Sequence, residues 1–422
     1  MRRSRTDAKI FAFLIALGAT ASAASSQDAP SAFAADVDRL FEIVETQYVY
    51  EPPRPLDRGA FGSAPQTPLE VLRIAEAVVA QLADHHVGLS TNAPDSYDVA
   101  PSRLDLWVEA REDAYVITEV KRDTPAARAG LRPGGLVIAI DDTPIADAVA
   151  RFMAAPEPEL SDREKSYAAQ ILLTGRRDRP RAFTVRTPEG AERAFALDRV
   201  AWPGANAGTP VTATPVDDGA VWLRIENALD DERTIAAFDA VLEAHKDATG
   251  LILDLRNTPS GGDTYVARAI MGRLIDNPSP YQLYRPKPKS GVNAVPYGYV
   301  EWIYPPGTFQ VSVPVVVLVS RWTGSVGEAI AVGLDAAGFT VLGGPMAGLA
   351  GAITEHCLPV TDICVSLPTQ RIFHVNGTPR HEWRPQNLLR FAETHPDTGE
   401  DAGLAAARRT LAALMTEAGD TL

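Results

Sequence analysis

The chain has 422 residues, 45% hydrophobic and 22% charged, with a formal charge of −14. That length suggests two or three domains, and the composition is that of an ordinary soluble globular protein. The acidic balance leaves no basic face for nucleic acid, so no nucleic-acid partner is expected.

Residues 1–23 read as a removable signal peptide. Arg2, Arg3 and Arg5 give a basic start. Ile10 to Leu17 is apolar but too short to span a bilayer comfortably. Ala21-Ser22-Ala23 fits a small-residue cleavage site. A retained membrane anchor is the alternative; no cysteine follows the apolar stretch, which argues against a lipoprotein anchor. The expectation is an exported protein, periplasmic or secreted, with no stable membrane span after processing. Removal takes away four basic residues and one acidic residue, so the charge moves from −14 to −17. That favours solubility and disfavours very acidic substrates.

Residues 24–100 read as a helical region. Phe33 to Val44 places apolar residues at i, i+3 and i+4, and Pro68 to Leu82 repeats the pattern. Glu51 to Thr67 is a loop rich in Pro and Gly, and Ser90 to Ser102 a polar linker.

Residues 101–203 change to short strands and turns. Tyr115 to Val120 and Leu136 to Ile140 are predicted strands, with Thr124 opening a short helix to Leu131 and Arg132-Pro133-Gly134-Gly135 as a turn. The run Thr124-Pro125-Ala126-Ala127-Arg128-Ala129-Gly130-Leu131, followed by that turn and strand, resembles a bacterial PDZ domain. The resemblance implies a groove that takes a polypeptide as an added strand. Leu104, Leu106 and Trp107 sit where that family keeps its carboxylate-binding loop and are the candidate peptide-binding residues. Leu and Asp stand where glycine is common in that loop, and a packing module without ligand is the plainer reading.

Residues 204–400 alternate strands and helices, as in a layered, mostly parallel α/β core. Val221 to Ile225, Gly250 to Arg256 and Val313 to Val319 are strands; Thr234 to Lys246 and Gly262 to Leu274 are helices. Residues 401–422 hold an amphipathic C-terminal helix. Cys357 and Cys364 flank a hairpin tip, and in an oxidising compartment they either pair or remain two thiols. No ligand set has zinc-like spacing, so no metal is expected, and nothing calls for a cofactor.

The chemistry centres on Thr323-Gly324-Ser325-Val326-Gly327-Glu328, which follows a buried strand and opens a helix. A serine at such a corner is set beside free N–H groups and the positive end of the helix dipole. The plainer alternative is an N-cap, with Glu328 completing a capping box.

With Leu251-Ile252-Leu253-Asp254-Leu255-Arg256-Asn257, Gly261-Gly262 and the PDZ-like insert in that order, the chain resembles the C-terminal processing proteases, whose relatives include tail-specific proteases and the tricorn protease. The resemblance implies a multidomain α/β protein: a crotonase-like catalytic core, an N-terminal helical region and an inserted β-rich PDZ-like domain. It implies a serine endopeptidase with Ser325 as nucleophile. Many of these proteases use a lysine base in a motif of the form GerTfGKG. Here the matching stretch runs from Gly343 to Gly351 and Leu349 holds the lysine position. The tricorn-like branch uses a histidine instead, and Leu82-Ala83-Asp84-His85-His86 matches its motif, which makes His86 the candidate base. An ordinary imidazole would put the acid limb of activity near pH ~6 to ~7.

By the same resemblance Glu382 is the candidate acid that orients His86, with a register slip to His381, or Asp84, as alternatives. A surface salt bridge of Glu382 with Arg380 or Arg384 is the plainer reading. The oxyanion hole is expected from the N–H groups of Val326 and of Gly261 or Gly262. A catalytically inactive peptide- or small-ligand-binding protein on the same fold is the alternative function.

Overall fold

The strand Leu251–Asp254 sets the layout of the core. All four of its residues are buried, the pattern of a parallel strand covered on both faces. In the computed structural model, which describes residues 32–61, 64–112, 114–200, 208–216, 219–288, 297–307 and 310–420, this strand pairs in parallel with Val221–Ile225 and Val315–Val319. Thr340–Gly343 and Asn387–Leu388 extend the sheet beyond Val315–Val319, and Val211–Pro215 closes the other edge antiparallel. Helices Arg233–Ala244, Thr264–Gly272 and Val326–Ala336 bury Phe238, Ile270 and Ile330 in one apolar cluster with this sheet. The C-terminal helix Ala402–Asp420 packs Ala407 and Leu411 with Ile252, Val316 and Leu318 in another.

A second sheet is organised around Cys364–His374, which pairs with Gly88–Leu89, Ala352–Cys357 and Ser279–Pro286. Tyr299–Ile303 forms its outer edge. The N-terminal helices Ala32–Gln47 and Pro68–Gln81 pack Leu40, Val44 and Val71 with Val365 and Leu367 of this sheet. Thr67 caps the second helix by accepting the Glu70 N–H at 3.2 Å, with proline in the first turn. Cys357 and Cys364 face each other across the hairpin and are joined in a disulfide.

The PDZ-like unit is a third sheet of Leu106–Arg111, Ala114–Val120, Leu136–Ile140, Arg181–Arg186 and Glu192–Leu197, in that order. Helices Ile145–Met153 and Asp162–Thr174 complete its core, adding Val149, Met153, Ala168 and Leu172. The second is opened by Ser161 and Glu164 in a reciprocal capping box. The predicted signal peptide, residues 1–23, lies outside the described residues. Among the described residues no helix is long and apolar enough to cross a membrane.

Candidate active site

Thr323 and Thr258 build the corner that carries Ser325. Both hydroxyls donate to the Leu255 carbonyl, at 3.0 and 2.9 Å, and Gly324 N–H donates to the Thr258 carbonyl at 3.1 Å. Gly324 has no room for a side chain: a Cβ there would lie 2.6 Å from the Pro259 carbonyl oxygen. Ser325 itself takes φ +49° and ψ −106°, a strained conformation for a non-glycine residue that persists only when its surroundings impose it. The Glu328 carboxylate holds the corner by accepting N–H groups from Ser325 (2.9 Å), Gly348 (2.9 Å) and Leu349 (3.1 Å). Burial pushes this carboxyl up to about 7.

The Ser325 hydroxyl lies 3.0 Å from His86 Nε2, across 239 residues of sequence. The other ring nitrogen, Nδ1, is 2.7 Å from the Ala350 carbonyl oxygen. A carbonyl only accepts, so Nδ1 carries the proton and the Nε2 lone pair faces Ser325. Burial, and then the Arg380 guanidinium, push His86 down to about 4. Arg380 is itself buried and donates to the carbonyls of Leu349 and Gly351, both at 3.2 Å. It thereby fixes the segment whose Ala350 carbonyl holds the imidazole.

Asp84 sets the backbone of the histidine loop. Its carboxylate accepts the His86 N–H and the Tyr48 hydroxyl, both at 2.9 Å. His85 turns the other way, with Nε2 on the Gln170 side-chain oxygen and its ring 4.7 Å from that of Tyr167.

Glu382 does not meet His86. Its side chain is 65% exposed and lies 3.6 Å from His381 Nε2, a ring that burial and the neighbouring arginines keep neutral down to about pH 4. The neighbouring Arg380 and Arg384 make no ion pair with it among the described residues. The orienting partner of His86 is thus a main-chain carbonyl, which no side-chain motif announces. Ala350 and Arg380 are the site residues that sequence reasoning missed. Their only signal was the placement of Leu349-Ala350-Gly351 at the position of the absent lysine.

The glycine turn is packed against the serine. A Cβ on Gly261 would lie 2.5 Å from Ser325 Cβ and 3.1 Å from the Val326 nitrogen. A Cβ on Gly262 would lie 2.0 Å from the Leu229 carbonyl carbon. Both positions therefore require glycine. The Gly261 N–H donates to the Thr258 carbonyl at 3.2 Å.

Leu104, Leu106 and Trp107 do not line an open groove. They are 0%, 0% and 4% exposed and belong to the core of the PDZ-like unit. Leu104 and Trp107 instead brace the loop that carries Ser325. Trp322, fully buried three residues before Ser325, donates its indole N–H to the Leu104 carbonyl at 2.6 Å and packs edge-on against Trp107. The Arg321 guanidinium stacks over Trp107 at 5.0 Å and pairs with Glu109.

Among the described residues one trio of potential metal ligands lies close together, Glu355, Cys357 and Cys364. Its two sulfurs are joined to each other and are not thiolates.

Residues 222–385 match the family model of Peptidase family S41, and residues 116–160 that of a PDZ domain. No curated protein matches the chain. Among solved structures, mature CPAF aligns at 15% identity over 91% of this chain and 98% of its own, with a TM-score of 0.59. Mature CPAF complexed with lactacystin gives 15% identity, 91% and 97% coverage and a TM-score of 0.55. The photosystem II D1 C-terminal processing protease gives 18% identity, 89% and 96% coverage and a TM-score of 0.52. At these identities the likeness shows the shared multidomain α/β fold, while the family match covers the segment that holds Gly261, Ser325 and Glu328. The chain is a serine-type peptidase in which residues 222–385 match Peptidase family S41 and residues 116–160 match a PDZ domain.

Proposed function

We propose that this protein cleaves polypeptides through an acyl-enzyme, with Ser325 as nucleophile and His86 as general base. The observation that carries this is the 3.0 Å approach of His86 Nε2 to the Ser325 hydroxyl, together with the Nδ1 contact to Ala350 that fixes the tautomer. Ser325 gives its proton to Nε2 as its oxygen attacks the scissile carbonyl carbon. The negative charge that develops on the carbonyl oxygen meets the Val326 N–H at the helix start. Gly262 N–H is the candidate second donor, because the Gly261 N–H is already engaged with Thr258. His86 then returns the proton to the leaving amine. Water, deprotonated by the same nitrogen, releases the acyl group. Ala350 takes the place of a triad carboxylate: it orients the ring but brings no full charge to stabilise the imidazolium.

The PDZ domain is read as the element that receives the polypeptide. The basic, apolar and small-residue order of residues 1–23 supports export to the periplasm or beyond. The deciding experiment is covalent labelling of the parent protein with a fluorophosphonate, followed by peptide mapping. Adduct on Ser325, absent in His86→Ala and accompanied by hydrolysis of an unstructured polypeptide, is the expected result. A parent protein that neither labels nor hydrolyses would make it a binding protein on this fold.

A further inference from the structure

The chain carries 54 acidic residues against 40 lysines and arginines, and many of its arginines are ion-paired, as Arg54 is with Glu164, Arg176 with Asp95 and Arg181 with Asp105. Arg163, Arg371, Arg380 and Arg384 make no ion pair among the described residues, and all four act on His381, whose ring lies 5.5 Å from that of Tyr50.

Each guanidinium is held there by neutral groups. Arg371 lies over the Tyr50 ring at 5.4 Å and donates to the Val49 carbonyl. Arg384 donates to the His381 carbonyl at 3.3 Å and to the Trp383 carbonyl at 2.8 Å. Arg163 reaches the Ala83 carbonyl at 3.4 Å, beside the histidine loop. Arg380 holds Leu349 and Gly351. Tyr50 flanks Gly351, where a Cβ would lie 3.3 Å from its ring. The cluster therefore begins one residue from the Ala350 carbonyl that holds His86.

The nearby carboxylates feel the charge of these arginines, Asp84 that of Arg163 and Glu328 that of Arg380, but make no ion pair with them among the described residues. Asp84 and Glu328 are buried and engaged with Tyr48 and backbone N–H groups, and Glu382 points outward at 3.6 Å from His381. Within the cluster three buried polar atoms, Tyr50 Oη, Arg380 Nε and His381 Nδ1, have no hydrogen-bond partner among the described residues. Such atoms bond either to ordered water or to a ligand oxygen.

We propose that Tyr50, His381 and the arginines 163, 371, 380 and 384 form a carboxylate-recognition subsite beside His86, which selects polypeptides by an anionic group near the scissile bond. Guanidinium groups bind carboxylates through paired, charge-assisted hydrogen bonds. The carboxylate comes either from the chain end of the substrate or from an Asp or Glu side chain. An arriving carboxylate also offsets the Arg380 charge beside the base. This deepens the peptidase reading and rests on it for the meaning of the bound group, though not for the binding itself.

The test compares peptides of one sequence ending in a free acid or a carboxamide, and carrying Glu or Gln next to the cleaved bond. kcat/KM is measured on the parent protein and on the double variant Arg163→Met, Arg371→Met. Binding of the same peptides to Ser325→Ala is measured by calorimetry, which needs no hydrolysis. The parent is expected to prefer the anionic partner of a pair by at least about tenfold, and the double variant to lose most of that ratio. Arg371→Lys should restore part of it. Preference for the free acid assigns the subsite to a chain end; preference for Glu assigns it to a side chain. Absence of any preference in both assays, or a ratio that survives in a normally folded double variant, overturns the subsite. Preferential binding of the anionic peptides to Ser325→Ala, with a parent protein that hydrolyses nothing, keeps the subsite and removes the peptidase.

Discussion

The acid limb of the activity profile tests the central physical feature of the site, a base that is buried and set beside a cation. A free imidazole titrates near ~6.5. Burial, followed by Arg380, holds His86 down at about 4. At about pH 5 such a base is about 90% neutral, whereas an unperturbed imidazole would be about 3% neutral, a difference of about thirtyfold in competent enzyme. The sign is that of a group whose charged form is disfavoured: the proton arrives later on acidification, so activity persists to lower pH. This replaces the limb near neutrality that an ordinary histidine would give. Glu328, pushed up to about 7 by burial and bonded to the Ser325 N–H, is another group that titrates in this range. The assay is kcat/KM on a fluorogenic peptide from about pH 4 to about pH 9, for the parent and for Glu328→Gln, whose amide oxygen can still accept the Ser325 and Leu349 N–H groups while the Gly348 N–H loses its acceptor. In Glu328→Gln, the value at about pH 5 should stay within about twofold of the plateau and fall only toward 4. A limb near 6.5 in both proteins refutes the reasoning. A limb near 7 in the parent alone belongs to Glu328.

Ser325→Ala should abolish hydrolysis with an unchanged thermal unfolding curve, and His86→Ala should lower acylation by at least about a thousandfold; stopped-flow probe labelling measures the second. Glu382→Gln should change kcat/KM by no more than about threefold, because the carboxylate faces away from His86; a thousandfold loss would reinstate it as the orienting acid. Reduction of Cys357–Cys364, or its replacement by serines, should cost about 2–3 kcal/mol of stability, the loop-closure value for so short a ring, read from denaturant unfolding with and without reductant. N-terminal sequencing of the exported protein should begin near Ala24, and retention of residues 1–23 would argue for an anchor.

The strands of the core were legible because parallel pairing leaves an unbroken apolar signature, as in Val315–Val319, all five of whose residues are buried. The resemblance singled out Ser325 and His86, and the structure brings their side chains within 3.0 Å. Other parts were harder to read. Helix Asp162–Thr174 announced itself only through Ser161 and Glu164, a capping box inside a region otherwise read as strands. Leu104, Leu106 and Trp107 were placed correctly along the chain but misread in role. A position in a domain's binding loop says nothing about which neighbour covers it, and here the cover is Trp322. Glu382 failed because a charged residue near the expected position is cheap evidence: exposed carboxylates are common, and a one-residue turn of the chain sends the group to solvent.

The position of the absent lysine shows how backbone can take over from a side chain. Leu349 is 4% exposed and turns its side chain toward Gly324, so it fills space at the nucleophile corner and contributes no proton acceptor there. Its main chain does the rest. The N–H is held by Glu328, which also holds the Ser325 N–H, and the carbonyl is held by Arg380. Leu349 is thus pinned from both sides, and the next carbonyl, that of Ala350, is aimed at His86 Nδ1. The arrangement has a cost that the sequence does not reveal. A carbonyl orients an imidazole as well as a carboxylate does, but it supplies no charge to balance the imidazolium, and Arg380 opposes that charge. A base set at about 4 stays neutral and ready over a wide range of pH, yet it accepts the serine proton reluctantly. A His86 base would therefore trade proton affinity for constant availability, and an anion bound in the proposed arginine subsite would shift that balance toward the imidazolium.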